Sequence, residues 1–264
     1  MKNVLIKLGG SVITDDSYRR SIVKQLIEIK QNNLNPCIVH GGGKLITYYM
    51  EKLGIKTEFF EGLRITNEQA RDIVLMALSK VNKDLVYDFN SLGDLAIGIC
   101  GGDANLIYGE KITHPSGKYL GYVATPTKVN TDFFKTITKL GYTIIISSIG
   151  LCEDGYYNIN ADHSAAIVAQ QTKADHLIYV SDVSGVLHPE TNEHYPVLTK
   201  EKIKSLQKEG IITAGMIPKL NSCLESLEKG VKNVCIINGK EKNSLCNYLI
   251  NNKLAGTKIN LNWG

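Results

Sequence analysis

Two lysines, one aspartate, one arginine and two glycine-rich turns are the residues of this 264-residue chain best placed for chemistry. Lys7 ends an apolar run and is followed by Leu8 and then Gly9-Gly10-Ser11. An ammonium on a buried strand is costly unless it meets an anion, so Lys7 is expected at a ligand edge. His40-Gly41-Gly42-Gly43 joins the apolar "PCIVH" to an amphipathic stretch. The first N–H groups of a helix are unpaired and lie at the positive end of the peptide dipoles, and glycine lets an anion approach them closely. Neither glycine turn has the spacing of a Walker A loop or of a dinucleotide fingerprint. Asp162, in "NINAD" (158–162), falls in the first turn of the next helix, within reach of lysines; Asn160 or Asp162 can equally act there as a cap. "AGMIPK" (214–219) opens another helix and delivers Lys219. Arg64, in the apolar "FEGLRIT" (60–66), suits a bidentate carboxylate clamp.

The chemistry this inventory fits is phosphoryl transfer. That reaction needs positioning and charge neutralisation more than covalent help. Backbone N–H groups hold phosphates, and ammonium groups stabilise charge spread over the moving group. Arg64 points to an acceptor that carries a carboxylate. No Ser-His-Asp arrangement and no metal-spaced His/Cys set is visible in the sequence.

The elements that must position these residues alternate. Strand-like runs at 3–8, 36–40, 94–100, 142–150, 176–183 and 231–238 are separated by helical patterns near 17–32, after Gly43, over 67–93 with Asn67 as N-cap, at "TDFFKTITKLG", over 161–174, and in two later segments. Residues 104–130 read as a hairpin excursion, and a last helix closes the chain. Apolar strands joined by helices predict an α/β fold with a mainly parallel sheet covered on both faces. Ligands in such sheets bind beyond the carboxyl ends of the strands. Gly9-Gly10-Ser11, Gly41-Gly42-Gly43, Gly101-Gly102-Asp103, Ser148-Ile149-Gly150 and Ser181-Asp182 all fall there.

Composition excludes other classes. Hydrophobic content of 43% and charged content of 21% describe an ordinary globular chain. The net charge of +4 is spread out, which suits small anions and not nucleic acid. No run is long enough to span a membrane, and no signal peptide is visible. The six cysteines form no C-x-x-C pair and read as buried free thiols, so a cytoplasmic setting is expected.

The ordered set Lys7-Leu8-Gly9-Gly10-Ser11, His40-Gly41-Gly42-Gly43, Gly62-Leu63-Arg64-Ile65-Thr66, Val81-Asn82-Lys83, Asn158-Ile159-Asn160-Ala161-Asp162, Ser181-Asp182-Val183-Ser184-Gly185-Val186, Gly215-Met216-Ile217-Pro218-Lys219 and Gly256-Thr257 resembles the acetylglutamate kinases of the amino-acid kinase superfamily. The resemblance spans nearly the whole chain. It implies an open three-layer αβα sandwich, with residues 1–175 as an acyl-amino-acid-binding and dimerisation lobe and 176–264 as a nucleotide-binding lobe. It implies that ATP, with Mg²⁺ carried by the nucleotide, phosphorylates the side-chain carboxylate of N-acetyl-L-glutamate in arginine synthesis. Lys7 and Lys219 would stabilise the moving group, and Asp162 would orient them. Gly42, Gly43, Arg64, Asn158 and Asn160 would hold the acyl amino acid. Gly9, Gly10, Ser11, Asp182, Gly215 and Met216 would serve the phosphates and nucleotide, with no protein metal ligand.

The chain also departs from the family pattern. Ala214 replaces a glycine before Met216, Ala124 replaces one in "GYVATPTKVN", Cys100-Gly101-Gly102-Asp103-Ala104-Asn105 replaces the commoner S-G-x-D-G, and Lys44 stands where proline is frequent. With the first strand starting by Asn3, the resemblance implies a homodimer without arginine inhibition. The rival readings are another amino-acid kinase member with a different carboxylate or phosphate acceptor and, from a different class, a non-catalytic nucleotide or amino-acid sensor. Retention of Lys7, Lys219 and Asp162 argues against the second, because a sensor needs no transition-state clamp.

Overall fold

The computed structural model describes residues 1–183, 185–188, 191, 193–212, 216–253 and 256–262. Gly215, Ala214 and Ser184 of the sequence motifs lie outside the described residues. In chain order the elements are β1 (Lys2–Leu8), α1 (Ser11–Thr14), α2 (Asp16–Gln31), β2 (Leu34–His40), α3 (Gly43–Lys52), β3 (Phe59–Phe60), β4 (Leu63–Arg64), α4 (Glu68–Ser91), β5 (Ala96–Cys100), β6 (Ile107–Lys111), β7 (Val123–Val129), α5 (Thr131–Lys139), β8 (Thr143–Ser147), β9 (Ile149–Cys152), β10 (Gly155–Ile159), α6 (Ala161–Gln171), β11 (His176–Ser181), β12 (Val197–Thr199), α7 (Lys200–Lys208), α8 (Ile217–Glu228), β13 (Asn233–Asn238), α9 (Ser244–Leu249) and β14 (Thr257–Asn260).

The main sheet has the order β12-β14-β13-β11-β1-β2-β8-β5. Every neighbouring pair is parallel except β13 with β14. Its strands are apolar on both faces, and successive side chains alternate between two cores. Val4, Ile6, Leu8, Ile38, Ile145, Ile178, Val180 and Ile237 meet α2, α4 and α9 on one face. Leu5, Val39, Ile144, Ile146, Leu177, Tyr179, Val234 and Ile236 meet α6, α7 and α8 on the other. Each fully buried Leu or Ile contributes about 1.5–3 kcal/mol, so the alternation alone fixes which face each strand residue takes. The result is the expected α/β sandwich with helices on both sides.

Local signals set the helix starts. The Asn67 side chain accepts a hydrogen bond from the Ala70 N–H, and Asp15 accepts from the N–H groups of Ser17 and Tyr18. The longest helix, α4, buries Ile73, Val74, Ala77, Leu78, Val81, Leu85 and Phe89 at helical spacing. It is locked to α2 by the buried pair Arg19–Asp88, Nε to Oδ2 at 2.7 Å.

Three expectations from sequence are corrected. The run 142–150 is two strands, because the chain leaves the main sheet at Ser148 and β9 pairs elsewhere. The 104–130 hairpin exists as antiparallel β6 and β7, but it closes with β9 and β10 into a four-stranded barrel. The expected last helix is α9, but among the described residues the strand β14 follows it. Thr257 to Asn260 is too short to show a period and is recruited by β13 and β12.

Candidate active site

The parallel strands β1, β2, β8 and β11 end side by side: Leu8 pairs with His40 and with Val180, and His40 pairs with Ser147. The turns that follow them therefore converge along one edge of the sheet. Lys7 faces the α6–α8 side, and Tyr179 is its register partner on β11. Helix α6 begins at this edge with Asp162 in its first turn, and α8 begins there with Lys219.

These three residues meet. Lys7 Nζ lies 2.9 Å from Asp162 Oδ1, and Lys219 Nζ donates to Asp162 Oδ2 at 3.0 Å. All three side chains are largely buried, so one carboxylate serves two ammonium groups and the cluster carries a net positive charge. Burial works to raise the Asp162 pKa, but the two ammonium groups outweigh it and hold the carboxyl well below the usual carboxylate range. Burial lowers the Lys7 pKa; the Asp162 charge opposes the shift and the Lys219 charge adds to it. Lys7 Nζ also sits beside Gly9, where an added Cβ would be 2.6 Å from it.

On the β11 side, Gly10 has φ +63°, a left-handed conformation that glycine accepts without strain. A Cβ there would press on the Asp182 carboxylate at 3.2 Å. Ser11 Oγ donates to Asp182 Oδ2 at 3.3 Å, and Lys44 Nζ stands 4.0 Å from the same oxygen. Lys44 thus reaches from the second glycine turn to the end of β11. Met216 is the N-cap residue of α8, and its carbonyl accepts from the Leu220 N–H.

On the other side, Gly42, Gly43, Arg64, Asn158 and Asn160 line one cleft of ≈ 140 Å³, together with Phe59, Leu78, Val123, Ser148 and Ile159. Gly42 backs onto Leu78, which a Cβ would approach to 2.9 Å, and Gly43 opens to free space. Arg64 is 6% exposed. Its guanidinium donates to Gly43 O at 3.1 Å and Thr47 Oγ1 at 2.9 Å, and stacks 4.7 Å from the Phe59 ring. Among the described residues it has no carboxylate partner, and burial pushes its pKa down. Asn158 Nδ2 donates to Thr66 Oγ1 at 3.2 Å. The Asn160 side chain is occupied as the cap of α6, accepting from the Asp162 and His163 N–H groups. It thereby fixes the helix turn that carries Asp162.

Sequence reasoning missed several residues that shape this edge. Buried His40 has Nδ1 2.9 Å from Gly41 O and Nε2 3.1 Å from Asn82 Nδ2. A carbonyl can only accept, so Nδ1 carries the proton and Nε2 accepts from the amide. Asn82 also donates to Ile145 O at 3.1 Å, tying α4 to β8 behind the glycine turn. The "VNK" motif marked Asn82 without showing its partner. Thr47 and Tyr179 had no signal beyond ordinary helix and strand patterns.

Residues 2–238 match the amino acid kinase family. A protein of Kosmotoga olearia named acetylglutamate kinase is 39% identical over 262 residues, covering 98% of this chain and 91% of that protein. One of Clostridioides difficile with the same name is 38% identical at the same coverages. Among solved structures, N-acetylglutamate synthase from Neisseria gonorrhoeae, with coenzyme A and N-acetyl-glutamate, superposes with a TM-score of 0.89 at 18% identity; the match takes in 100% of this chain and 60% of that one. Carbamate kinase from Giardia lamblia gives 0.72 at 15% identity, covering 99% of each chain. At such identities these two likenesses bear on the fold alone. With the family matched over residues 2–238 and relatives of 38–39% identity covering 98% of it, the chain belongs to the amino acid kinase family and, within it, to the acetylglutamate kinases.

Proposed function

We propose that the protein transfers the γ-phosphoryl group of ATP to the side-chain carboxylate of N-acetyl-L-glutamate, giving the acyl phosphate and ADP for arginine synthesis. The observation that carries this reading is Arg64: a buried guanidinium without a carboxylate of its own among the described residues, in a cleft lined by Gly41, Gly42, Gly43 and by Ala161, the residue before Asp162. Arg64 Nη2 is engaged by Gly43 O and Thr47 Oγ1, while Nη1 makes only 3.4 Å contacts to Thr57 Oγ1 and Met50 Sδ, which an incoming carboxylate would replace. Val123, Leu78 and Ile159 give that cleft apolar walls suited to an acyl methyl, and Asn158 offers an amide.

In this reading the acceptor's side-chain carboxylate attacks the γ-phosphorus directly. The new bond is carboxylate oxygen to phosphorus, the bond to the β–γ bridging oxygen breaks, and ADP leaves with those electrons. A carboxylate is already ionised, so no general base is required. The difficulty is bringing two anions together, and Lys7, Lys219 and the N–H groups of Gly10, Gly42 and Gly43 answer it by neutralising charge at the point of transfer. Gly9, Ser11, Asp182 and Met216 would face the nucleotide, with Gly215 of the same sequence motif. Residues 1–175 would then form the acyl-amino-acid lobe and 176–264 the nucleotide lobe.

Mg²⁺ arriving with the nucleotide would screen phosphate charge and needs at most one or two carboxylates from the protein. Asp182, with Ser11 Oγ at 3.3 Å and Lys44 Nζ 4.0 Å from the same oxygen, would face the phosphates and the ion they carry without binding that ion on its own. The chain's own cysteines are free thiols, in keeping with reaction in the cytoplasm. A homodimer is supported by Met76 and Tyr87, exposed three turns apart on one side of α4, and by exposed Leu95 beside the edge strand β5.

The test is to combine the purified protein with ATP, Mg²⁺ and hydroxylamine and to measure hydroxamate from N-acetyl-L-glutamate, L-glutamate and N-succinyl-L-glutamate. Hydroxylamine traps an acyl phosphate, so the signal reports the bond formed. Signal from N-acetyl-L-glutamate alone is expected. Signal from another acid would change the substrate, and ATP binding without any hydroxamate would favour the sensor reading.

A further inference from the structure

Lys219 is held from two sides. Asp162 meets its Nζ at 3.0 Å, and the face of the Tyr179 ring lies beneath it, 5.1 Å from Nζ to the ring centre. Tyr179 is fully buried. Its hydroxyl is 3.1 Å from Ser222 Oγ, which donates in turn to the Asp162 carbonyl at 3.4 Å. Ser222 stands three residues after Lys219, on the same side of α8. The contacts close a ring: Tyr179 to Ser222, Ser222 to Asp162, Asp162 to Lys219, and Lys219 back over Tyr179.

We propose that Tyr179 is a positioning residue of the phosphoryl-transfer site, whose ring face holds the Lys219 ammonium in the place where the transferred group must pass. Lys7 and Lys219 share one carboxylate, so after Asp162 is counted one positive charge remains in a largely buried site. A desolvated cation over an aromatic face gains from the ring quadrupole without any counter-charge. A second carboxylate would also hold Lys219, but it would repel the phosphates. The ring steadies the ammonium and leaves its charge available to them. The hydroxyl acts separately, tying β11 to α8 through Ser222. An aliphatic side chain at this position of β11 would fill the core and do neither. This inference rests on the reading of Lys219 as a phosphate-binding ammonium.

The experiment compares Tyr179→Leu, Tyr179→Phe, Lys219→Ala and the double variant Tyr179→Leu/Lys219→Ala in the hydroxamate assay, with melting temperature as the check on folding. Tyr179→Leu is expected to lower kcat by about threefold to thirtyfold with both KM values within twofold of the unsubstituted protein. Tyr179→Phe, which keeps the ring, is expected to retain kcat within about twofold although it loses a hydrogen bond. In the Lys219→Ala background, Tyr179→Leu is expected to change kcat no further, because the ring acts through the lysine. A folded Tyr179→Leu protein with unaltered kcat, a Tyr179→Phe loss equal to that of Tyr179→Leu, or full additivity in the double variant would each overturn the proposal. If Tyr179→Leu does not fold, Tyr179→Met serves in its place with the same expectations. An unchanged kcat for Lys219→Ala would instead overturn the underlying reading of the site.

Discussion

Lys7 and Asp162, 155 positions apart in the chain, lie 2.9 Å from Nζ to Oδ1 at the sheet edge where the glycine turns gather. The contact joins β1 to the first turn of α6, and Lys219 of α8 completes it from the other oxygen. Replacing Lys7 or Lys219 with Ala should lower kcat by about 10² or more, as expected for loss of a group that stabilises transition-state charge. Steady-state kinetics decides this, and near-normal kcat for both would remove the assigned roles. The pH profile should follow the same cluster. Lys7 has a lowered pKa in the fold, so it loses its proton below the ordinary lysine value of 10.5, and kcat should fall earlier on the alkaline side than for a free lysine. Asp162 has a depressed pKa, so its stabilising charge is present above the usual carboxylate range and is lost only as pH falls through the lower folded value. No acid limb from this group is expected down to about pH 5.

Gly9→Ala should fold and lose activity. The added Cβ would meet Lys7 Nζ at 2.6 Å, the far end of a flexible chain, so the lysine yields and not the backbone. A fall in kcat of about tenfold or more, with a melting temperature within a few degrees of the unsubstituted protein, is the expected outcome. An unchanged kcat would show that Lys7 has room to keep its place.

Arg64→Lys tests the clamp. Lysine keeps a charge but loses the planar pair of donors that matches a carboxylate. The KM for N-acetyl-L-glutamate should rise by about tenfold to a hundredfold, with the KM for ATP changed by less than threefold. Equal increases in both would mean that Arg64 organises the whole edge and not one substrate.

His40 gives the fold an acid sensitivity. Burial pushes its pKa down to about 4. The folded state therefore favours the neutral ring, and stability should fall as pH drops from about 6.5, the unfolded value, toward about 4, by up to about 3 kcal/mol. Denaturant midpoints measured across that window check it. In His40→Gln the decline should be shallower, since no imidazole remains to take up the proton.

Tyr87→Asp or Met76→Lys should convert a dimer to a monomer. Both side chains are exposed on one side of α4, where a charge would be desolvated by a second copy but solvated in a monomer. Light scattering after size exclusion reads the mass directly. A monomeric unsubstituted protein, or dimers that survive both substitutions, would place any interface elsewhere.

What could be read along the chain was what is local. Continuous apolar runs and helical spacing marked the main-sheet strands other than β12 and β14, together with the helices over them, because those patterns arise within ten or so neighbours. The glycine turns at 9–10 and 41–43 and the helix starts at Asp162 and Lys219 were legible for the same reason, since backbone exposure and capping are short-range. The pairing of Lys7, Asp162 and Lys219 was given by the family resemblance, not by their spacing. Tertiary structure alone decided where the chain leaves the sheet at Ser148, how β6, β7, β9 and β10 close into a barrel, and that β14 adds an antiparallel strand. Each depends on partners far away in sequence, and a four-residue strand has no period of its own. The same holds at the site. Arg64 was visible as a clamp, but that it is buried without a carboxylate was not. Tyr179 read as one more apolar strand residue until the register with Lys7 and the approach of α8 set its ring under Lys219.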